Sequence, residues 1–174
     1  MNFQETITYQ FSIQDLIPIL TNPDFLLAKY DAQGARNIKL ISKEISEHRS
    51  EICIQRDIPV EVEIPAFARS IVPSGITLIQ TDSWDKLSHT GTLDIKFKGM
   101  PVKLTCDMKM LKKGNETLQT LDFYIQVNVP LIGRKLEDLL ARDLMKKFKN
   151  DTLVTNQIIK QTMESSEVRN ESHI

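Results

Sequence analysis

The amino-acid sequence predicts an α+β fold in which a seven-stranded antiparallel sheet curls around one long C-terminal helix. From Glu116 to Val129 apolar and polar residues alternate, which is the period of a strand with one buried face. A hinge from Pro130 to Gly133 follows, and then an amphipathic helix runs to about Met163. Its apolar stripe comprises Ile132, Leu136, Leu139, Leu140, Leu144, Phe148, Val154 and Ile158. That stripe needs an apolar partner, and the strands that precede it supply one.

The strand and helix signals begin at the amino terminus. A first strand is predicted from Asn2 to Phe11, and Ser12 then resembles the start of a capping box that opens a short helix ending at Leu20. Pro18 makes that helix brief or kinked. A second short helix is predicted over Asp24–Asp31. The sequence thus predicts two short helices after strand 1.

Six more strands are predicted, separated by turns rich in glycine, proline and polar residues. They span Asn37–Glu47, Glu51–Pro59, Ile76–Asp85, Thr90–Lys98, Val102–Lys112 and Glu116–Val129. The turn between the first two of them is placed at His48–Ser50, and Glu61–Pro73 is interpreted as a loop or a single helical turn. Consecutive strands with tight turns imply an antiparallel meander. A sheet of this size that twists around one helix leaves a space between them.

Length and charge limit the classes of function. A chain of 174 residues is the size of one domain and buries about 68–70% of its unfolded surface. We predict a single domain over residues 1–163 and a polar, disordered tail over residues 164–174. The net charge is −1, from 22 basic and 23 acidic residues, so no overall field attracts nucleic acid or an anionic membrane.

Targeting and redox signals are weak. The segment Met1–Phe11 has neither a basic start nor an apolar run, and no segment reaches the ~20 apolar residues of a membrane helix. We therefore expect a cytoplasmic protein without stable membrane insertion. Cys53 and Cys106 lack metal-ligand spacing and are interpreted as reduced core thiols rather than redox or metal groups. No cofactor or metal is predicted, and the sequence identifies no protein partner.

The inward faces of the strands and the helix form either a solid core or a core partly opened into an apolar pocket. Periodicity alone favours the solid core. Met108 and Met110 share one face of their strand and favour a pocket, because unbranched thioethers adapt to variable shapes. The predicted pocket residues are Ile54, Arg56, Leu78, Trp84, Phe97, Leu104, Met108, Met110, Phe123, Ile125, Leu140, Leu144 and Phe148.

Few polar residues are candidates for orienting a ligand there. Arg56 shares the apolar phase of its strand, where a guanidinium can bind a carboxylate or phosphate; alternatively it reaches water or pairs with a glutamate. Asp82 and Trp84 lie either at the rim of a pocket or where the strand leaves the core. Tyr30 is a candidate hydroxyl donor.

Catalytic signals are absent from the sequence. His48 and His89 fall at predicted hairpin tips and His173 in the tail, so the histidines form no convergent pair. The chain has no nucleophile elbow, zinc-protease motif, P-loop or dinucleotide fingerprint. No catalytic residue is predicted. In the long helix, Lys147 and Asp151 intrude on the apolar arc, and Asn150–Thr152 is a candidate position for a bend.

Two features carry a resemblance to known proteins: the order of elements, and the three segments Gln80–Trp84, Gly99–Val102 and Val129–Glu137. The order of elements makes the chain from Met1 to about Met163 resemble the START-like (SRPBCC) superfamily. This is the helix-grip fold shared by the major birch pollen allergen, lipid-transfer START domains and polyketide cyclases. Within it, these three segments make the chain most similar to a bacterial family of unknown function.

The resemblance implies an apolar cavity between the sheet and the C-terminal helix. It also implies a ligand that is an elongated hydrophobic molecule such as a lipid, isoprenoid or polyketide, bound by a carrier or sensor. The alternative is a cyclase- or hydrolase-like enzyme that uses Arg56, Asp82 or Tyr30, which requires at least two of these side chains in one pocket. A partner-binding module is a third possibility, and an exposed apolar patch is its expected sign.

Overall fold

The computed structural model describes residues 1–59, 63–73 and 75–171, and of residues 167–171 only the backbone. Within these ranges the chain forms seven strands and three α-helices. In chain order they are β1 (Asn2–Tyr9), α1 (Ile13–Leu20), α2 (Pro23–Ala32), β2 (Arg36–Ile45), β3 (Arg49–Pro59), β4 (Gly75–Asp85), β5 (Thr90–Phe97), β6 (Val102–Lys113), β7 (Glu116–Val127) and α3 (Gly133–Glu171). A single 3₁₀ turn, Ala66–Ala68, lies in the loop between β3 and β4.

The strands form one antiparallel sheet in the order β1-β7-β6-β5-β4-β3-β2. From β2 to β7 each strand pairs with the next along the chain, and β1 joins the far edge beside β7. Gly99 and Gly114 adopt positive φ at two of the tight turns, a conformation that glycine accepts without strain. The predicted α+β class is therefore confirmed, and the architecture is the helix-grip fold.

Several boundaries differ from the sequence prediction. The β2–β3 turn lies before Arg49, because the Ser46 Oγ accepts a hydrogen bond from the Arg49 N–H at 3.1 Å and β3 begins at Arg49. The strands β1 and β7 each end two residues early, at Tyr9 and Val127. The cap of α1 is as predicted, since the Ser12 Oγ accepts from the Asp15 N–H at 3.2 Å.

The long helix differs from its prediction in two ways. It passes without interruption through Asn150–Thr152, the candidate position for a bend. It also continues to Glu171, eight residues past the predicted end at Met163, so residues 164–171 are helical rather than a disordered tail. No glycine or proline follows Gly133 in this helix, and Lys160 and Glu164 form an i,i+4 ion pair at 3.9 Å across the predicted end. Residues 172–174 lie outside the described residues.

The interior divides into two apolar clusters, one at each end of the sheet. The first lies beneath α1, α2 and the distal part of α3, and its buried members include Leu16, Phe25, Ile52, Ile54, Trp84, Met108, Met110 and Ile159. The second lies beneath the first turns of α3 and includes Ile76, Leu78, Ile95, Phe97, Leu104, Ile125, Val127 and Leu136. Two additional helices cover the first end of the sheet, whereas α3 and the β3–β4 loop cover the second.

Candidate functional site

A cavity of about 320 Å³ lies at the second end of the sheet, between the strands and the first half of α3. Its sheet wall is apolar and includes Ile58, Ile76, Leu78, Ile95, Phe97, Leu104 and Val127. Its helix wall includes Leu136, Leu139, Leu140, Asp143, Leu144 and Lys147, and the β3–β4 loop adds Ile64, Ile71 and Val72. The volume is at the lower end of the range of small-molecule sites, roughly 300–1,000 Å³.

Six of the thirteen predicted pocket residues line this cavity. They are Arg56, Leu78, Phe97, Leu104, Leu140 and Leu144. The remaining seven do not: Ile54, Trp84, Met108, Met110, Phe123, Ile125 and Phe148. The first four of these seven belong to the cluster beneath α1 and α2, Ile125 is buried in the second cluster, and Phe123 and Phe148 pack against the clusters.

The two methionines correct the location expected for the pocket. Met110 is 1% exposed, and the Met108 sulfur accepts a hydrogen bond from the Gln119 Nε2 at 3.6 Å. Both therefore belong to the apolar cluster that α1 and α2 cover, which we call the solid half of the interior. Thioethers fill irregular gaps in a core as readily as they line a pocket.

A wider depression of about 1,090 Å³ lies at this first end of the sheet and borders Trp84 and Met108. Most of the residues that line it are polar or charged, including Glu44, Arg49, Glu51, Asp85 and Asp107. Such a lining suits solvent better than it suits an apolar molecule.

Arg56 is the centre of a buried polar network at the inner end of the cavity. Its Nη2 donates to the Gln80 Oε1 at 2.8 Å, and its guanidinium carbon lies 3.8 Å from the centre of the Tyr30 ring. The Gln80 Nε2 donates to the Asp82 Oδ1 and to the Tyr30 hydroxyl oxygen, both at 2.6 Å. The Tyr30 hydroxyl in turn donates to the Asp82 Oδ2 at 3.4 Å. We call these four residues the Arg56 network.

The strand period explains why the network is buried. Arg56 on β3 and Gln80 and Asp82 on β4 occupy the inward phase of their strands, and Tyr30 reaches them from α2. Exposed fractions are 8% for Arg56, 5% for Gln80 and 6% for Asp82. Arg56 thus neither reaches water nor pairs with a described glutamate, and Asp82 and Trp84 lie in the interior rather than at a rim.

Burial dominates the electrostatics of the network. It raises the pKa of Asp82, against the hydrogen bond from Gln80 and the charges of Lys29 and Arg56. It also raises the pKa of Tyr30 and lowers that of Lys29. On α3, burial raises the pKa of Asp151, although Lys29, Lys147 and Arg56 act in the opposite direction.

Only Arg56 among the four network residues lines the cavity; Gln80, Asp82 and Tyr30 stand behind it. The Arg56 Nη1 is buried and has no hydrogen-bond partner among the described residues. The Asp143 Oδ1 on the helix wall is also buried without a described partner, and its Oδ2 pairs with the Lys147 Nζ at 3.4 Å. The network therefore offers the cavity one positioned cationic donor.

Sequence reasoning missed Gln80, which connects the other three members of the network. The signal is present, because Gln80 lies between Leu78 and Asp82 in the inward phase of β4. A polar residue on a buried strand face requires a partner, and the partners here come from a neighbouring strand and a helix.

The structure shows no other chemical centre among its described residues. Cys53 and Cys106 are free, and burial raises the pKa of the Cys106 thiol to about 12. The ranges described contain no group of three or more His, Cys, Asp or Glu side chains placed to hold a metal ion. None of the described helices combines the length and apolarity needed to cross a membrane.

Comparison with known proteins identifies the fold and the family. The model of a family described as a protein of unknown function (DUF2505) matches residues 4–159. No match was found among curated protein sequences.

Several solved structures share the architecture. TTHA0849 from Thermus thermophilus has a TM-score of 0.65 at 9% identity, covering 93% of this chain and 99% of that one. The Zhui aromatase/cyclase from Streptomyces sp. R1128 has a TM-score of 0.60 at 9% identity, covering 94% and 93%. A START superfamily protein from Mycobacterium smegmatis has a TM-score of 0.55 at 11% identity, covering 92% and 98%. At these identities the likeness shows the fold alone, and this fold is the one that the resemblance to the START-like superfamily implies.

Proposed function

Because the chain belongs to the family of proteins of unknown function DUF2505 and has the helix-grip fold, we propose that it binds an elongated hydrophobic small molecule between the sheet and α3. It acts as a carrier or sensor in the cytoplasm, and the ligand is a lipid, an isoprenoid or a polyketide. The observation that carries the proposal is the apolar cavity of about 320 Å³.

The lining explains the choice of ligand class. Leu78, Phe97 and Leu104 on the sheet face Leu140 and Leu144 on α3, so most surface available to a ligand is hydrocarbon. Burial of an apolar ligand there gains roughly 25 cal/mol for each Å² removed from water.

An enzyme of the cyclase or hydrolase kind is the second candidate, because one protein of the same fold is an aromatase/cyclase. Arg56, Asp82 and Tyr30 converge on one another, as that hypothesis requires. Of these three, only Arg56 lines the cavity. An acid or base must reach its substrate directly or through one water, so this arrangement supports binding better than catalysis.

A partner-binding role has one supporting feature. The edge strand β2 exposes Leu40, Ile41 and Ile45, with exposed fractions of 38%, 55% and 49%. Nothing among the described residues indicates what would cover them, so binding in the cavity is the better supported proposal.

Native mass spectrometry tests the proposal. We expect protein purified from its own cells to carry a small-molecule adduct, or to acquire one from a panel of lipids and isoprenoids. Leu140→Trp fills the cavity from the helix wall and should abolish the adduct. The matched control is Leu153→Trp on the same helix, where the side chain is 64% exposed and the adduct should persist. A clean apo mass with no binding from the panel would contradict the proposal.

A further inference from the structure

Arg56 is a buried cation that has no described carboxylate in direct contact with it. A guanidinium is protonated at all physiological pH values, and a buried charge is normally paired with an opposite charge. The direct contacts of Arg56 are the neutral amide oxygen of Gln80, at 2.8 Å, and the face of the Tyr30 ring, at 3.8 Å. No described carboxylate lies within ion-pair distance of it.

The guanidinium is also held in place before any ligand arrives. Asp82 and Tyr30 accept both hydrogen bonds of the Gln80 amide nitrogen and so turn the Gln80 oxygen towards Arg56. Arg56 Nη2 is engaged by that oxygen, whereas Nη1 belongs to a side chain that lines the cavity and has no described partner. A donor that is already oriented binds an acceptor without a further ordering cost.

Three charged side chains line the cavity from α3: Asp143, Lys147 and Asp151. Asp143 pairs with Lys147 at 3.4 Å. Asp151 lies in the field of Lys29, Lys147 and Arg56, and burial favours its neutral form. Neither carboxylate forms an ion pair with Arg56, which leaves the guanidinium available to an anion from a ligand.

We infer that the ligand carries a carboxylate at one end and that Arg56 binds this carboxylate inside the cavity. The inference rests on the proposed function, because the apolar walls hold the remainder of the molecule. A carboxylate is planar and singly charged, and the Arg56 Nη1 carries two N–H groups that can donate to it while Nη2 remains bonded to Gln80. A phosphate monoester, with a charge of about −1.5 to −2 near pH 7, would need more donors than this one side chain offers.

A matched set of ligands tests the inference on the wild-type protein. Decanoic acid, decan-1-ol and decylamine share one chain and differ in the charge of the head. We expect isothermal titration calorimetry at pH 7 to give a Kd at least tenfold lower for the acid than for the alcohol. This factor corresponds to a difference of about 1.4 kcal/mol in the free energy of binding. The amine should bind no better than the alcohol. Equal affinity for acid and alcohol would overturn the inference and leave the proposed function intact. Binding of none of the three would overturn the inference, and together with the absence of any adduct from the lipid and isoprenoid panel it would also overturn the proposed function.

Variants locate the effect. Arg56→Met should remove the preference for the acid and retain binding of the alcohol, and Arg56→Lys should restore only part of the preference, because an ammonium lacks the planar fork. Arg49→Met is the matched control, since Arg49 lies on the same strand with an exposed side chain. A preference for the acid that persists in Arg56→Met would overturn the assignment. If that variant fails to fold, the comparison of the three ligands on the wild-type protein still decides the outcome.

Discussion

Arg56 donates from its Nη2 to the Gln80 Oε1 at 2.8 Å, so a buried cation is held by a neutral amide rather than by a carboxylate. In the strand register Arg56 is opposite Leu78, and Gln80 is its diagonal neighbour on β4. The pair lies where the solid half of the interior meets the cavity. Gln80 thereby connects Arg56 to Asp82 and Tyr30.

Gln80→Leu should destabilise the protein strongly. The variant leaves Arg56 and Asp82 without their shared partner, and an unsatisfied buried polar group costs about 1–3 kcal/mol, more when it is charged. We expect a loss of at least about 2 kcal/mol in the free energy of unfolding, measured in urea. Gln55→Leu, on the outward phase of β3, is the control and should stay within about 0.5 kcal/mol of wild type. Equal losses in both variants would show that Gln80 holds no special position.

Gly91→Ala should also destabilise the fold, for a steric reason. A Cβ at Gly91 would lie 2.7 Å from the Ser83 carbonyl oxygen and 2.8 Å from the Trp84 Cδ2. Overpacking of this kind costs about 1–3 kcal/mol. Trp84 is the single tryptophan, so its fluorescence reports the unfolding transition and its environment. Gly75→Ala, where a Cβ would meet nothing within 4 Å, should leave the transition near that of wild type.

Glu137 links α3 to the end of the sheet, and its contribution to the free energy of unfolding should depend on pH. Its Oε1 accepts from the Val127 N–H at 2.9 Å, and its Oε2 lies 3.3 Å from the ammonium of Met1. The Val127 hydrogen bond, followed by the ammonium, lowers the pKa of Glu137 in the folded state. The lowered pKa means that Glu137 stabilises the folded protein fully when the pH is above the pKa of the unfolded state, about 4.3. This stabilisation is lost as the pH falls through the pKa of the folded state.

The measurement is the difference in free energy of unfolding between wild type and Glu137→Gln as a function of pH. We expect about 1 kcal/mol in favour of wild type at pH 7, shrinking below about pH 4. Glu44→Gln, an exposed position on the edge strand β2, should show no comparable difference. A Glu137 difference that does not change between pH 7 and pH 3 would contradict the assigned role of its carboxylate.

Met110→Ala should separate stability from binding. Met110 lies in the solid half of the interior, and truncation of a buried methionine costs about 2–5 kcal/mol. Because Met110 does not line the cavity, the Kd for decanoic acid should stay within about twofold of wild type while the protein remains folded. Leu140→Ala, on the cavity wall, should raise that Kd by more than Met110→Ala does, because the bound ligand should contact Leu140. A large change in Kd for Met110→Ala would return the site to the position that the sequence predicts.

The sequence predicts the fold well because the signals for it are local. The alternation in β7 and the stripe in α3 each identify an element and its buried face, and the turns between strands imply the meander. Helix ends are less predictable. The residues after Met163 are mostly polar, which suggests a tail, but they contain no glycine or proline to end the helix, and α3 continues to Glu171.

The candidate site is only half predictable, since periodicity says which face of a strand is buried but not what covers it. Leu104 and Met108 share the inward face of β6, yet Leu104 lines the cavity and Met108 lies in the solid half. The difference comes from α1 and α2. The pattern of residues within a strand does not indicate where these helices lie over the sheet. The same limit hid Gln80, because two of its three partners lie on β3 and α2.

The most direct test of binding in the cavity is an isotope-filtered NOE measurement on the protein with bound decanoic acid. We expect contacts from the alkyl chain of the ligand to the methyl groups of Leu78, Leu104 and Leu140, with none to the methyl groups of Met108 and Met110. Contacts to the two methionines instead of the three leucines, or no contact to any of the five, would contradict binding at this site.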